Sequence, residues 1–202
     1  MIDEIDKQRI SNAIQKAELK TAGEIFCVIA QSSDDYHHLP VIWAALIALF
    51  VPLPLVYMTL WSTTTIYVVQ IFVFLVVAVF LSHPKLRFHI VPRQAKHDQA
   101  HAEALRQFSL RGLDKTENRT GVLIFASTAE RYAEIIADTG INQMVPTDAW
   151  DKPIKLLVGA IKAGHPADGF VAAIEECGAI LSIHFPPGTL NRDELPNKLL
   201  VI

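Results

Sequence analysis

No aspartate, glutamate, lysine or arginine occurs between residues 39 and 82. A soluble helix keeps one polar face towards water. A charge-free run of 44 residues, 34 of them apolar, therefore excludes a purely soluble chain. It is also too short for a polytopic transporter. Cysteine is scarce: Cys27 and Cys177 stand alone in apolar stretches without CxxC spacing, which argues for buried free thiols over a disulfide or redox pair. Phosphate loops are missing, because no GxxxxGK[ST], GxGxxG or GxSxG is present and Gly140, Gly164 and Gly169 are isolated. Positive charge is not in excess either. The net charge is −3 over residues 1–38 and zero over 83–202, so no basic face marks nucleic acid as a partner. The opening MIDEIDKQRISNAIQKAELK is charged throughout and does not read as a signal peptide.

The apolar segment divides into two helical spans. Leu39–Trp61 measures about 34 Å as a helix and Ile66–Ser82 about 25 Å. Only Ser62–Thr65 lies between them, so the spans form an antiparallel transmembrane hairpin over 39–82. Trp43, Tyr57, Trp61 and Tyr67 fall near span ends, where amphipathic rings favour the interface. Pro52 and Pro54 predict a kink in the first span. The turn carries no positive charge, whereas Lys20 flanks one side and Lys85, Arg87, Arg93 and Lys96 the other. That asymmetry predicts an inner-membrane protein with two spans and both termini in the cytoplasm. Neither span holds an ionisable group, so the hairpin reads as an anchor, not a conduction path. The bilayer is one expected partner.

All 39 charged residues lie in the other 158, about 25% of them, as in an ordinary globular domain. That length supports one core and not two, and residues 1–38 are too few to bury one alone. Residues 5–20 carry a helical stripe (Ile5, Ile10, Ala13, Ile14, Ala17) ending before Gly23 as a cap. Residues 24–31 read as a strand. After the hairpin, residues 83–97 mix basic and bulky apolar side chains and suit a membrane interface. Pro92 starts a helix with Ala95, Ala102, Leu105 and Phe108 inward, up to Gly112. Residues 122–127 are a buried strand, Thr128–Arg131 a turn, and Tyr132–Asp138 the returning strand. Thr147-Asp148 caps a helix with Trp150, Ile154, Leu157, Val158 and Ile161 inward, stopped by Gly164. Asp168 caps another, with Phe170, Ile174, Cys177 and Leu181 inward, stopped by Pro186-Pro187. The tail NRDELPNKLLVI drapes over the domain. The expected fold is a small sheet covered by helices, strand 24–31 finding its partner, residues 120–127, beyond the insertion.

The combination of TAGEIFCVIA, AEALRQF, NRTGVLIFASTAERYAEIIADTGI, DAW and RDELP resembles the TPM domain, a family named after a thylakoid lumen protein, a photosystem II repair factor and a nematode acetylcholine-receptor modulator. It is similar in particular to a bacterial membrane branch whose domain is split by a transmembrane hairpin. The resemblance covers the chain outside 39–82, giving segments 1–38 and 83–202 of one TPM-like domain. It implies an α/β fold, an α-β-α sandwich with a short mixed sheet. In activity it implies a range: acid phosphatase, calcium binding, or assembly and accessory roles.

Four residues flank the 122–138 hairpin: Arg119 before it, Glu130 and Arg131 in its turn, and Asp138 at its exit. Arg119 and Asp138 lie at similar distances from the turn and so fall at one sheet end. Together they suit either an anion site with a carboxylate base or cation ligand, or a structural Arg–Asp pair locking the sheet edge. No second carboxylate lies close by, so no two-metal phosphatase pattern is present. His97-Asp98-Gln99-Ala100-His101 places two imidazoles at i and i+4 on one helix face, as a metal requires. The shorter Asp98 stands where a zinc hydrolase carries glutamate. His37, His38, His83 and His89 also border the spans, forming either a metal cluster or a neutral flank. Asp193-Glu194-Leu195-Pro196 is either a docked carboxylate pair or a solvated tail. No cofactor is expected; a divalent metal is the one addition these residues allow. The leading expectation is a membrane-anchored interaction or accessory module for membrane proteins. The alternatives are a phosphatase at Arg119 and Asp138, and a juxtamembrane metal-binding protein.

Overall fold

The computed structural model describes residues 2–33, 38–83, 91–116, 118–187 and 195–202, without the side chain of His38. The expectations placed on His37, His89, segment 84–90, Asp193 and Glu194 lie outside the described residues. The chain divides into two compact units, residues 1–33 with 97–202, and residues 34–96.

In the first unit, helix α1 (Glu4–Glu18) is capped by Asp3, whose carboxylate accepts from the Asp6 amide at 2.7 Å. Its buried stripe is Ile10, Ala13, Ile14 and Ala17, while Ile5 is exposed. The helix closes at Leu19 with ordinary dihedrals, so Gly23 does not cap it; a methyl there would press on Leu181 at 3.0 Å. Strand β1 (Glu24–Ala30) follows and is buried along its length. Beyond the 34–96 unit come β2 (Gly121–Ser127) and β3 (Tyr132–Ala137), joined by the expected four-residue turn. The tail holds a strand that sequence reading missed, β4 (Leu199–Val201). Among the described residues these four strands form one sheet in the order β3-β2-β1-β4. β1 pairs parallel with β2 from Glu24 opposite Gly121 to Ala30 opposite Ser127, and parallel with β4 on its other side. β2 and β3 run antiparallel. Residues on both sides of the apolar unit thus build one mixed sheet.

Alternation along the strands supplies two cores. Ile25, Cys27, Ile29, Val122, Ile124 and Ala126 face α1, α7 (Asp151–Lys162) and α8 (Pro166–His184). Phe26, Val28, Leu123 and Phe125 face α5 (Arg93–Leu110) through Ala100, Ala104 and Phe108. The result is an α-β-α sandwich. Both cysteines are free, and burial pushes the Cys27 and Cys177 thiols well up, away from thiolate chemistry.

Several expected details shift. The buried face of α5 is Ala100, Ala104, Gln107 and Phe108; Ala102 and Leu105 are exposed. Gly112 does end the run in the left-handed region, at φ +72°. Thr147 and Asp148 belong to a short 3-10 turn (Thr147–Trp150) and give α7 no side-chain cap. Asp168 sits inside the first turn of α8, started by Pro166, and its carboxylate accepts from Arg9 at 2.6 Å. Phe170, Ile174, Cys177 and Leu181 are all fully buried, as expected.

In the second unit, α2 (His38–Phe50) stops where Pro52 lacks an amide hydrogen, and α3 (Pro52–Met58) restarts with that proline in its first turn. Leu39–Met58 and α4 (Thr63–Leu81) are long and apolar enough to cross a membrane, and α4 lies against α2. The first stretch ends at Met58 instead of Trp61, because Thr59 turns extended and its hydroxyl donates back to the Leu55 carbonyl at 2.6 Å. The second begins at Thr63 because Ser62 caps it, so the connection is Thr59–Ser62.

At the start of β2, a methyl group on Gly121 would collide with the backbone carbonyl of Leu113, which packs over the strand. Gly121→Ala is expected to cost about 1–3 kcal/mol through this overpacking. A thermal shift assay on the full chain in detergent checks it; an unchanged midpoint would show that the 3-10 turn Leu113–Lys115 yields freely.

Candidate functional site

The amino end of the parallel strands holds Arg119 and Asp138. Asp138 follows β3 and caps α6 (Thr139–Asn142): its Oδ1 accepts from the Thr139 amide at 2.6 Å and the Thr139 hydroxyl at 3.2 Å. Arg119 enters β2 from the left-handed region, at φ +54°. Its Nη1 lies 3.7 Å from Asp138 Oδ2 and donates to the Asp114 carbonyl at 2.6 Å. The antiparallel register of β2 and β3 thus brings this pair to one sheet end, as expected. The Asp138 side chain is only 5% exposed, and its Oδ2 is buried without a hydrogen bond, as is Asp114 Oδ1. Gly140 closes the end from behind, where a methyl would stand 2.6 Å from the Asn118 carbonyl oxygen and 2.7 Å from that of Arg119.

Calcium takes six to eight oxygen ligands. Among the described residues no group of three or more His, Cys, Asp or Glu side chains could hold a metal. The guanidinium beside Asp138 Oδ2 already supplies the positive charge a cation would bring. These residues do not fit a dedicated cation cage. What they offer is an exposed guanidinium over a nearly enclosed carboxylate.

Glu130 and Arg131 lie at the other end of β2, roughly 20 Å away along a seven-residue strand. The four flanking residues are thus two pairs, not one constellation. Glu130 is 4% exposed. Its Oε1 accepts from the Ser32 hydroxyl at 3.2 Å and the Ser33 amide at 3.1 Å, and the Ser127 hydroxyl donates to its Oε2. It ties the exit of β1 to the β2–β3 turn. Arg131 leaves that turn in the left-handed region, at φ +55°.

His97 and His101 share a face of α5, as their spacing requires, but β3 supplies their partners. His101 Nδ1 lies 2.8 Å from Glu134 Oε2, the oxygen that also accepts from the Tyr132 hydroxyl at 2.9 Å. The His97 and Tyr132 rings sit 5.3 Å apart, inclined at 59°. Tyr132 and Glu134 escaped sequence reading, although two residues of separation on a strand put them on one sheet face. Burial first, and then the Glu134 carboxylate, push the Tyr132 phenol well above its usual range.

A phenol held protonated by the fold adds stability below its unfolded pKa near 10, and that stability is lost as pH rises further. The gap in stability between wild type and Tyr132→Phe should therefore be constant up to about pH 10 and narrow above it. Denaturant titrations of both proteins across that range check the sign; a gap that widens would place the phenolate, not the phenol, in the fold.

A comparison with curated proteins finds no match. Among solved structures, the chain is similar to the BA42 protein of the psychrophilic bacterium Bizionia argentinensis, at 21% identity and a TM-score of 0.64, covering 100% of this chain and 96% of that one. At that identity the likeness speaks for the fold alone. The family model described as the TPM domain matches residues 82–180, from the first residue after α4 through β2, β3 and most of α8. Over those residues, just under half of the chain, the sequence is similar to the TPM domain.

Proposed function

We propose that this protein is a membrane-anchored TPM domain that serves as an interaction or accessory module for other membrane proteins. The exposed apolar surface of α2, α3 and α4 carries this reading. Phe50 is 63% exposed, Phe72 66% and Val79 76%, a burden no soluble surface sustains and a bilayer removes. The two apolar stretches, of 20 and 19 residues, are about 30 Å and 28 Å long, matching a hydrocarbon core of about 30 Å. The pairing of β1 with β2 supports a single domain interrupted by the hairpin. Lysine and arginine at the flanks, against none in the turn, favour cytoplasmic termini. The enclosed, cap-engaged state of Asp138 favours a structural over a hydrolytic domain.

A reporter fused at Ile202 should be active in the cytoplasm, and the chain should stay with membranes after a carbonate wash. Periplasmic activity would reverse the orientation, and release by carbonate would remove the anchor. Capture of the full chain from native membranes should enrich particular integral proteins over a control keeping only residues 34–96. Equal recovery with both would sink the accessory role.

The second reading is a phosphatase. The exposed Arg119 guanidinium beside a carboxylate oxygen free of hydrogen bonds favours it. Hydrolysis of an activated phosphomonoester, lost on Asp138→Asn, would establish it. Metal binding at His97 and His101 would need stoichiometric zinc or copper that vanishes when both are changed.

A further inference from the structure

At the carboxyl ends of β1 and β2 the chain leaves β1 for the connection that ends in α5 and turns from β2 directly into β3. α5 covers one face of the sheet, and α7 and α8, entered from β3 at the opposite end, cover the other. Two cavities open at the carboxyl ends of β1 and β2 and share Thr128 as a wall. One, of about 560 Å³, is lined chiefly by apolar side chains including Ile2, Ile29 and Val201. The other, of about 490 Å³, has Val158 and Ile161 of α7 on its apolar side and Arg131 and Lys162 as its cations.

Charge sets the ligand class. Neither Arg131 nor Lys162 has an ion pair or side-chain hydrogen bond among the described residues, whereas Arg9, Arg106 and Lys152 are each paired with a carboxylate. The polar hydrogens of Ser127 and Tyr132 in the same wall are already given to Glu130 and Glu134. What the cavity has left to offer is positive charge over an apolar floor. Arg131 adds a second observation. Its φ of +55° suits glycine or asparagine at the end of a hairpin loop, so the arginine bears a local strain that no contact of its side chain offsets. Lys162 ends α7 and partly answers that helix's carbonyl terminus, which leaves Arg131 the larger share of any anion.

We propose that this cavity binds a phosphomonoester carried on an apolar body, its phosphate held by Arg131 and Lys162 and its apolar part lying on Val158 and Ile161. A guanidinium and an ammonium together match a dianionic phosphate. The apolar cavity beyond Thr128 gives room for a longer chain. The site lies within the α/β unit and stands whatever the orientation of the anchor.

Calorimetry on the full chain in phosphatidylcholine nanodiscs, with empty nanodiscs subtracted, tests this with hexyl phosphate and inorganic phosphate as probes. Hexyl phosphate should bind at least tenfold more tightly than inorganic phosphate. Arg131→Gly should weaken it at least tenfold while keeping or raising the thermal midpoint, since glycine is at home at that φ. Lys162→Gln should weaken it about threefold or more and decides the matter alone if the first variant does not fold. Hexyl phosphate binding no better than inorganic phosphate, or unchanged affinity in the variants, overturns the proposal. Two further nanodiscs, with phosphatidic acid or with phosphatidylglycerol at equal charge, separate the sources. Competition by phosphatidic acid alone makes a membrane lipid the ligand, and equal affinity in both makes it a soluble phosphomonoester; either result upholds the site.

Discussion

Seven residues, Glu24–Ala30, hold the two parts of the sequence together. β1 is buried on both faces and hydrogen-bonded along both edges, to β2 on one side and to β4 on the other. Each large side chain buried this way contributes about 1.5–3 kcal/mol, and Phe26 and Val28 on one face balance Ile25 and Ile29 on the other. The pairing closes a chain loop that contains the entire apolar unit. Closure entropy grows only with the logarithm of loop length, so a long insertion adds little cost once its ends return. The N-terminal segment is ordered because β2 and the helices beyond the insertion give it a surface to bury against.

That dependence explains which elements are legible in the amino-acid sequence. Residues 122–127 read as a strand because a strand covered on both faces is continuously apolar, and Phe170, Ile174, Cys177 and Leu181 read as one face because large side chains repeat at helical spacing. α5 is misread in register because its inward face is made of small residues, Ala100 and Ala104, with Gln107 tied to Glu103 by a 2.8 Å hydrogen bond. Size, not polarity, selects that face. β4 is only three residues long and has no pattern of its own; it is a strand because β1 presents an edge to it.

The candidate residues divide along the same line. Arg119 and Asp138 are brought together by the antiparallel register, a local property, so counting from the turn finds them. The partners of His97 and His101 come from a strand more than thirty positions away, and the i, i+4 spacing says nothing of Tyr132 or Glu134. The imidazoles share a face because of their helix, and Glu134 then takes one of them and supports the tyrosine beside the other. A metal-like spacing becomes a hydrogen-bonded buttress between helix and sheet.

The two ends of the sheet are built to different standards of closure. At the amino end, Gly121 and Gly140 admit backbone carbonyls at distances no side chain would allow, and Asp138 spends one oxygen on a helix cap. Main chain packed this closely holds the Asp138 carboxylate in a fixed place and leaves the Arg119 guanidinium exposed over it. At the carboxyl end, Glu130 seals only the path of the chain from β1 towards the apolar unit, and open cavities remain on either side of Thr128. Among the described residues, two arginines of the sheet unit adopt the left-handed region, and their surroundings give the strain opposite meanings. Arg119 recovers it through the Asp114 carbonyl and the Asp138 carboxylate. Arg131 makes no such contact, so its guanidinium keeps its full capacity for an anion, at the end of the sheet where the fold leaves space for one.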